Sequence, residues 1–89
     1  MIRLLVRVSG LVQGVWYRRS TQEQAELLGV AGYVRNLPGG EVEAALEGKP
    51  EAVARLLDWM RTGPPGATVV DVRVSEEGPL GETAFRVER

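Results

Sequence analysis

Apolar and polar residues alternate at the start of the chain. Ile2, Leu4, Val6 and Val8 are set against Arg3, Leu5, Arg7 and Ser9, a period of two that predicts a β-strand with one apolar face, ended by Gly10. From Arg18 to Leu28 the period lengthens. Thr21, Ala25 and Leu28 share one face and Gln22, Glu23 and Glu26 lie elsewhere, which predicts a helix capped by Gly29. Val30 to Leu37 reads as a second strand. Pro38-Gly39-Gly40 combines a fixed φ with tolerance of positive φ, the requirements of a tight turn. Val42, Ala44 and Leu46 then alternate with Glu41, Glu43 and Glu47, so strands two and three form a hairpin. Pro50 opens a second helix where its missing N–H costs nothing. Val53, Leu56, Leu57 and Met60 form its apolar stripe, and Gly63-Pro64-Pro65 stops it. Val70, Val72 and Val74 alternate with Asp71, Arg73 and Ser75 in a fourth strand. After a loop marked by Gly78, Pro79 and Gly81, Thr83 to Glu88 reads as a short final strand with Phe85 and Val87 inward.

The order β-α-β-β-α-β defines an α+β fold, the ferredoxin-like sandwich: two helices on one face of an antiparallel four- or five-stranded sheet. The charged residues Arg3, Arg7, Arg35, Glu43 and Arg73 are expected on the opposite, partly open face, with the acidic residues of strand three solvated. A length of 89 residues corresponds to one domain, 1–89. In this topology the right-handed crossover makes strands one and two run the same way, with strand three between them. Their C-terminal ends then lie at one edge of the sheet, about 10 Å apart, twice the strand spacing. The Gly10–Tyr17 loop leaves one end and Asn36 sits at the other. Alternation puts Asn36 with Val34 on the face under the helices.

Composition narrows the chemistry. There is no cysteine and no histidine. That excludes disulfides and thiolate catalysis, and removes the commonest general base and the commonest metal ligand. Neither a metal nor a cofactor is called for. Asp58 and Asp71 are the only aspartates and neither lies in an Asp-x-Asp setting, which argues against an aspartyl-phosphate route. A net charge of −1 argues against nucleic-acid binding, as does the low aromatic content, although Gly32-Tyr33-Val34 faintly resembles an aromatic RNA-binding strand. No apolar run approaches the roughly 20 residues of a membrane span. Arginines interrupt the N-terminal apolar stretch, so a secretory signal is not expected and the location reads as cytoplasmic. No feature calls for an obligate apolar interface, and a monomer is expected.

One segment carries candidate chemistry: Gly10-Leu11-Val12-Gln13-Gly14-Val15-Trp16-Tyr17-Arg18-Arg19. Two glycines let a strand-to-helix loop fold back so that its N–H groups converge with those of the first helical turn, a nest suited to a phosphate-sized anion. Arg18 can add a charge-assisted, bidentate bond. A cation at a helix start opposes the helix dipole, a cost that a bound anion relieves. The segment is neither a P-loop nor a dinucleotide fingerprint, since the lysine and the third glycine are missing. Each residue also has a plainer role. The glycines serve as turn-formers, Trp16 and Tyr17 as core plugs or stacking platforms, Arg19 as a solvated side chain, and Asn36 as a turn-flanking residue.

The string from Val8 to Arg18 resembles the first signature of the acylphosphatase family. Gly32-Tyr33-Val34-Arg35-Asn36, followed by Gly40-Glu41-Val42-Glu43, resembles the second, and Gly48 and Gly63-Pro64 also fit its pattern. The resemblance implies hydrolysis of the carboxyl–phosphate bond of a small-molecule acyl phosphate to a carboxylate and inorganic phosphate. It also implies that Arg18 is the phosphate-binding catalytic arginine and that Asn36 orients the attacking water. By the same resemblance, the backbone of Gln13, Gly14, Val15, Trp16 and Tyr17 is expected to line the phosphate cradle. This chemistry suits a chain without histidine or cysteine: the leaving carboxylate, whose conjugate acid has a pKa near ~4, departs without protonation. The alternative is a non-catalytic anion-binding or regulatory module on the same fold.

Overall fold

The computed structural model describes residues 1–88. In chain order the elements are β1 (Ile2–Leu11), α1 (Tyr17–Leu28), β2 (Ala31–Asn36), β3 (Val42–Gly48), α2 (Pro50–Met60), β4 (Thr68–Glu77) and β5 (Phe85–Glu88). The strands form one sheet in the order β4-β1-β3-β2-β5. β3 therefore lies between β1 and β2, antiparallel to both, and the ends that carry Gly10 and Asn36 share one edge. β5 pairs with β2 in parallel, which makes the sheet mixed rather than wholly antiparallel. The cause is the connection after β4. It joins one outer edge of the sheet to the other at a single end, so β5 re-enters in the direction of β2.

The core lies between the helices and one sheet face. Val6, Val8, Val34, Val42, Ala44 and Leu46 meet Tyr17, Thr21 and Ala25 of α1 and Val53, Leu56 and Met60 of α2, all buried. Both predicted helical stripes pack as read, and α1 adds Tyr17, whose hydroxyl donates to the Met60 carbonyl at 2.7 Å. No helix among the described residues is long and apolar enough to cross a membrane.

Three local expectations change. β1 continues through Gly10 to Leu11 because the β1–β4 ladder bulges between Ser9 and Gly10. Gly10 has φ 124°, and a Cβ there would collide with the Thr68 carbonyl. The bulge also resets the parity of β4, so Val69 and Val72 pack against the core while Val70 is 75% exposed. Val74 pairs with Val6 on the outer edge of the sheet and stays exposed.

The largest departure is on the open face. Glu43 and Glu47 are buried, not solvated, because β3 is the central strand and other groups cover it. Glu47 accepts the backbone N–H groups of Leu80, Gly81 and Glu82 at 2.8, 2.8 and 2.9 Å, and the buried Arg3 guanidinium at 3.1 Å. The β4–β5 connection is thereby strapped over this carboxylate. Arg3 also reaches Glu77 and Glu82. Glu43 accepts the Tyr33 hydroxyl at 2.9 Å and pairs with Arg35 at 2.8 Å.

These contacts set a pH dependence. The Leu80 N–H leads the groups that hold the Glu47 carboxyl below the ordinary glutamate range, ahead of the opposing effect of burial. At Glu43 burial works against ionisation, but hydrogen bonds from Tyr33 and Arg35 outweigh it, and this carboxyl too is held low. A carboxyl whose pKa is depressed on folding contributes stability above its unfolded value, about 4.3. That contribution is lost as the pH falls through the lower folded value. Denaturant titrations across pH 7 to 3 are expected to show falling stability from about pH 4.5 downward. Glu47→Gln is expected to be less stable at neutral pH and to respond less to acid. Parallel curves for the two proteins would assign the acid transition to other carboxylates.

Candidate active site

The bulged end of β1 turns the chain into a loop that reaches the N-terminus of α1. Gly14 has φ 74°, and Trp16, the N-cap of α1, has φ 63°, the only positive φ outside glycine among the described residues. The first helical N–H to find its intrachain partner is that of Ser20, which donates to the Trp16 carbonyl at 2.9 Å. The N–H groups of Gly14, Val15 and Trp16 donate to no backbone carbonyl among the described residues, and those of the first helical turn are free by helix geometry. The first turn holds no acidic residue but carries Arg18 and Arg19. Donors and positive charge therefore accumulate at one point with no acidic residue in that turn.

Beside this point is a cavity of about 370 Å³ lined by Val12, Gly14, Trp16, Tyr17, Arg18, Arg19, Asn36 and Val87. It joins the two fragments read from the sequence. Arg18 is half-buried and braced, its Nη1 donating to the Glu88 carbonyl at 3.0 Å. One of five guanidinium N–H groups is thus committed to β5, which fixes the side chain and leaves the others available to an anion. Asn36 pairs with Val42 across the β2–β3 ladder. Its Oδ1 is buried and has no hydrogen-bond partner among the described residues. A buried acceptor without a donor is costly, so its presence at a cavity wall marks a place for a ligand that can donate.

The remaining predicted residues fall into two groups. Gly14, Trp16 and Tyr17 line the cavity, although the Tyr17 ring itself is a core plug. Gln13 and Val15 do not line it. Val15 packs against the core. Gln13 donates through Nε2 to the carbonyls of Leu37 and Glu41, both at 2.9 Å, and so ties the loop to the β2–β3 turn beside Asn36. Sequence reasoning missed three cavity residues. Arg19 was read as solvated and is exposed, yet it lines the rim. Val12 follows the bulge that periodicity does not reveal. Val87 was placed inward with Phe85, but it is 37% exposed and forms a cavity wall.

Comparison with known proteins identifies the family. A family model described as acylphosphatase matches residues 4–87. An acylphosphatase of Gloeobacter violaceus is 56% identical over 88 residues, covering 99% of this chain and 95% of that protein. One from Rubrobacter xylanophilus is 56% identical over 79 residues, covering 89% of this chain and 72% of that protein. The crystal structure of an acylphosphatase from Bacillus subtilis superposes with a TM-score of 0.97 at 31% identity, covering the whole of both chains. A loop of free N–H donors, a braced arginine and an unpartnered asparagine oxygen therefore share one cavity in a chain that belongs to the acylphosphatase family.

Proposed function

We propose that this protein hydrolyses acyl phosphates, with Arg18 and the N–H groups of the Gly14–Tyr17 segment holding the phosphoryl group and Asn36 orienting the water. The observation that carries the assignment of roles is the buried, unpartnered Oδ1 of Asn36 on the wall of the cavity that Arg18 also lines. An acceptor there takes one hydrogen of a water molecule and points a lone pair at the phosphorus. In the reaction the water oxygen bonds to phosphorus and the bridging P–O bond breaks. Its electron pair leaves on the carboxylate, and the water proton passes to a phosphoryl oxygen. Phosphoryl transfer has a loose transition state with charge on the equatorial oxygens, so fixed donors and placement of one water account for the catalysis. The proposal takes the protein as a cytoplasmic monomer acting on a small molecule rather than on nucleic acid, the last supported by a net charge of −1.

The test is turnover of acetyl phosphate, with inorganic phosphate as a competitive inhibitor, before and after treatment with excess chelator. Equal turnover in both conditions is expected, because a chain without histidine or cysteine supplies its charge stabilisation from arginine and backbone. Phosphate binding without any turnover would instead favour a non-catalytic anion-binding module.

A further inference from the structure

Trp16 is placed as no core residue would be. The residue is 73% exposed and its backbone sits at φ 63°, a conformation that is strained for a bulky side chain. Its neighbour Tyr17 already fills the core, packed against Trp59 at 6.0 Å between ring centroids. The guanidinium–aromatic contacts of the described residues, from Arg35 and Arg86, go to Tyr33. The indole therefore has no stacking partner among these residues, while Trp16 is one of the residues that line the cavity, as are Val12 and Val87.

We infer that Trp16 is a specificity-determining residue that stacks on the acyl portion of the substrate and favours flat aromatic acyl groups over small aliphatic ones. The inference rests on the reading of Arg18 and Asn36 as the phosphate end of the site. An acyl phosphate has two ends separated by one bridging oxygen. When the phosphoryl group lies against Arg18 and the N–H nest, the acyl group must leave across the rim of the same cavity. Of the residues that line the cavity, Trp16 and Val87 are the exposed large apolar ones. A cavity of about 370 Å³ falls in the range of small-molecule sites, roughly 300–1,000 Å³, and has room for more than a phosphate. An offset stack between an indole and a benzoyl ring adds affinity beyond area burial, and an acetyl group has no face with which to make it. The backbone strain at Trp16 has a use on this reading. The αL conformation starts the helix abruptly and separates two successive aromatics, one into the core and one to the rim.

The experiment compares kcat/KM for benzoyl phosphate and acetyl phosphate in the wild type, Trp16→Phe, Trp16→Ala and Trp16→Asn; asparagine tolerates αL. The benzoyl-to-acetyl ratio is expected to fall about 5- to 10-fold in Trp16→Ala and Trp16→Asn, and to hold within about twofold in Trp16→Phe. A ratio that stays constant while both substrates slow alike would overturn the inference, because Trp16 would then act on the phosphate end alone. A second measurement keeps Trp16 intact. The chain has two tryptophans, so Trp59→Phe leaves Trp16 as the sole indole emitter. Benzoylphosphonate, a non-hydrolysable probe, is expected to quench that emission saturably, and inorganic phosphate is not. Equal responses to the two probes would again overturn it. Failure of the underlying reading is distinct: Arg18→Ala would then turn over acetyl phosphate normally, whatever the selectivity ratio.

Discussion

Arg18→Ala is expected to lower kcat/KM on an acyl phosphate by about 10³- to 10⁵-fold, the range seen for an arginine that neutralises a transferring phosphoryl group. Two features of this site argue for an effect that large. The first is charge: among the described residues lining the cavity, Arg18 is the half-buried cation, and Arg19 is exposed. The second is bracing. Because the Glu88 carbonyl holds Nη1 at 3.0 Å, the guanidinium is positioned before substrate arrives, and little reorganisation is needed during the reaction. Competitive inhibition by inorganic phosphate should be lost together with turnover. Arg18→Lys should recover little of either, because an ammonium cannot bond to β5 and present a planar fork to phosphate at once. Phosphate inhibition that survives unchanged in Arg18→Ala would place the anion elsewhere.

Asn36→Ala should behave differently. The loss expected is about 10²- to 10³-fold in kcat, the scale of removing one preorganised polar group, with the inhibition constant for phosphate shifted only a few-fold. The split follows from position. Asn36 sits at the end of β2 and lines the same cavity as the loop proposed to hold the phosphoryl oxygens, and its oxygen, unpartnered among the described residues, suits a water rather than an anion. Removing it deletes a buried orphan acceptor and so should leave the fold intact. Asn36→Asp tests the sign of the interaction: a carboxylate still accepts from water but repels the phosphoryl group, so both kcat and phosphate affinity should fall. Equal losses in kcat and phosphate affinity for Asn36→Ala would assign Asn36 to phosphate binding instead.

Much of this arrangement was legible in the sequence because it follows from local periodicity and strand order. Val53, Leu56 and Met60 form the core stripe of α2 as spaced, and the Pro38–Gly40 turn closes the β2–β3 hairpin. The insertion of β3 between β1 and β2 brings Arg18 and Asn36 to one cavity. What was not legible depends on contacts between distant segments. The bulge at Gly10 reverses the parity of β4 and exposes Val70, and only the close approach of the Thr68 carbonyl to Gly10 explains it. The burial of Glu47 depends on the connection to β5, more than thirty residues downstream. A glutamate on the middle strand of the sheet was the available signal, since a carboxylate there needs donors from another segment. The Gln13 side chain was likewise invisible as a tie. Its two carbonyl partners become neighbours only once the hairpin has formed.

Water is expected to attack phosphorus and not the carbonyl carbon. The most direct test is single-turnover hydrolysis of benzoyl phosphate in water enriched in heavy oxygen, with enzyme in excess and both products analysed by mass. The label is expected to enter inorganic phosphate and to be absent from benzoate. Label in the benzoate would mean attack at the carbonyl carbon, and would contradict it.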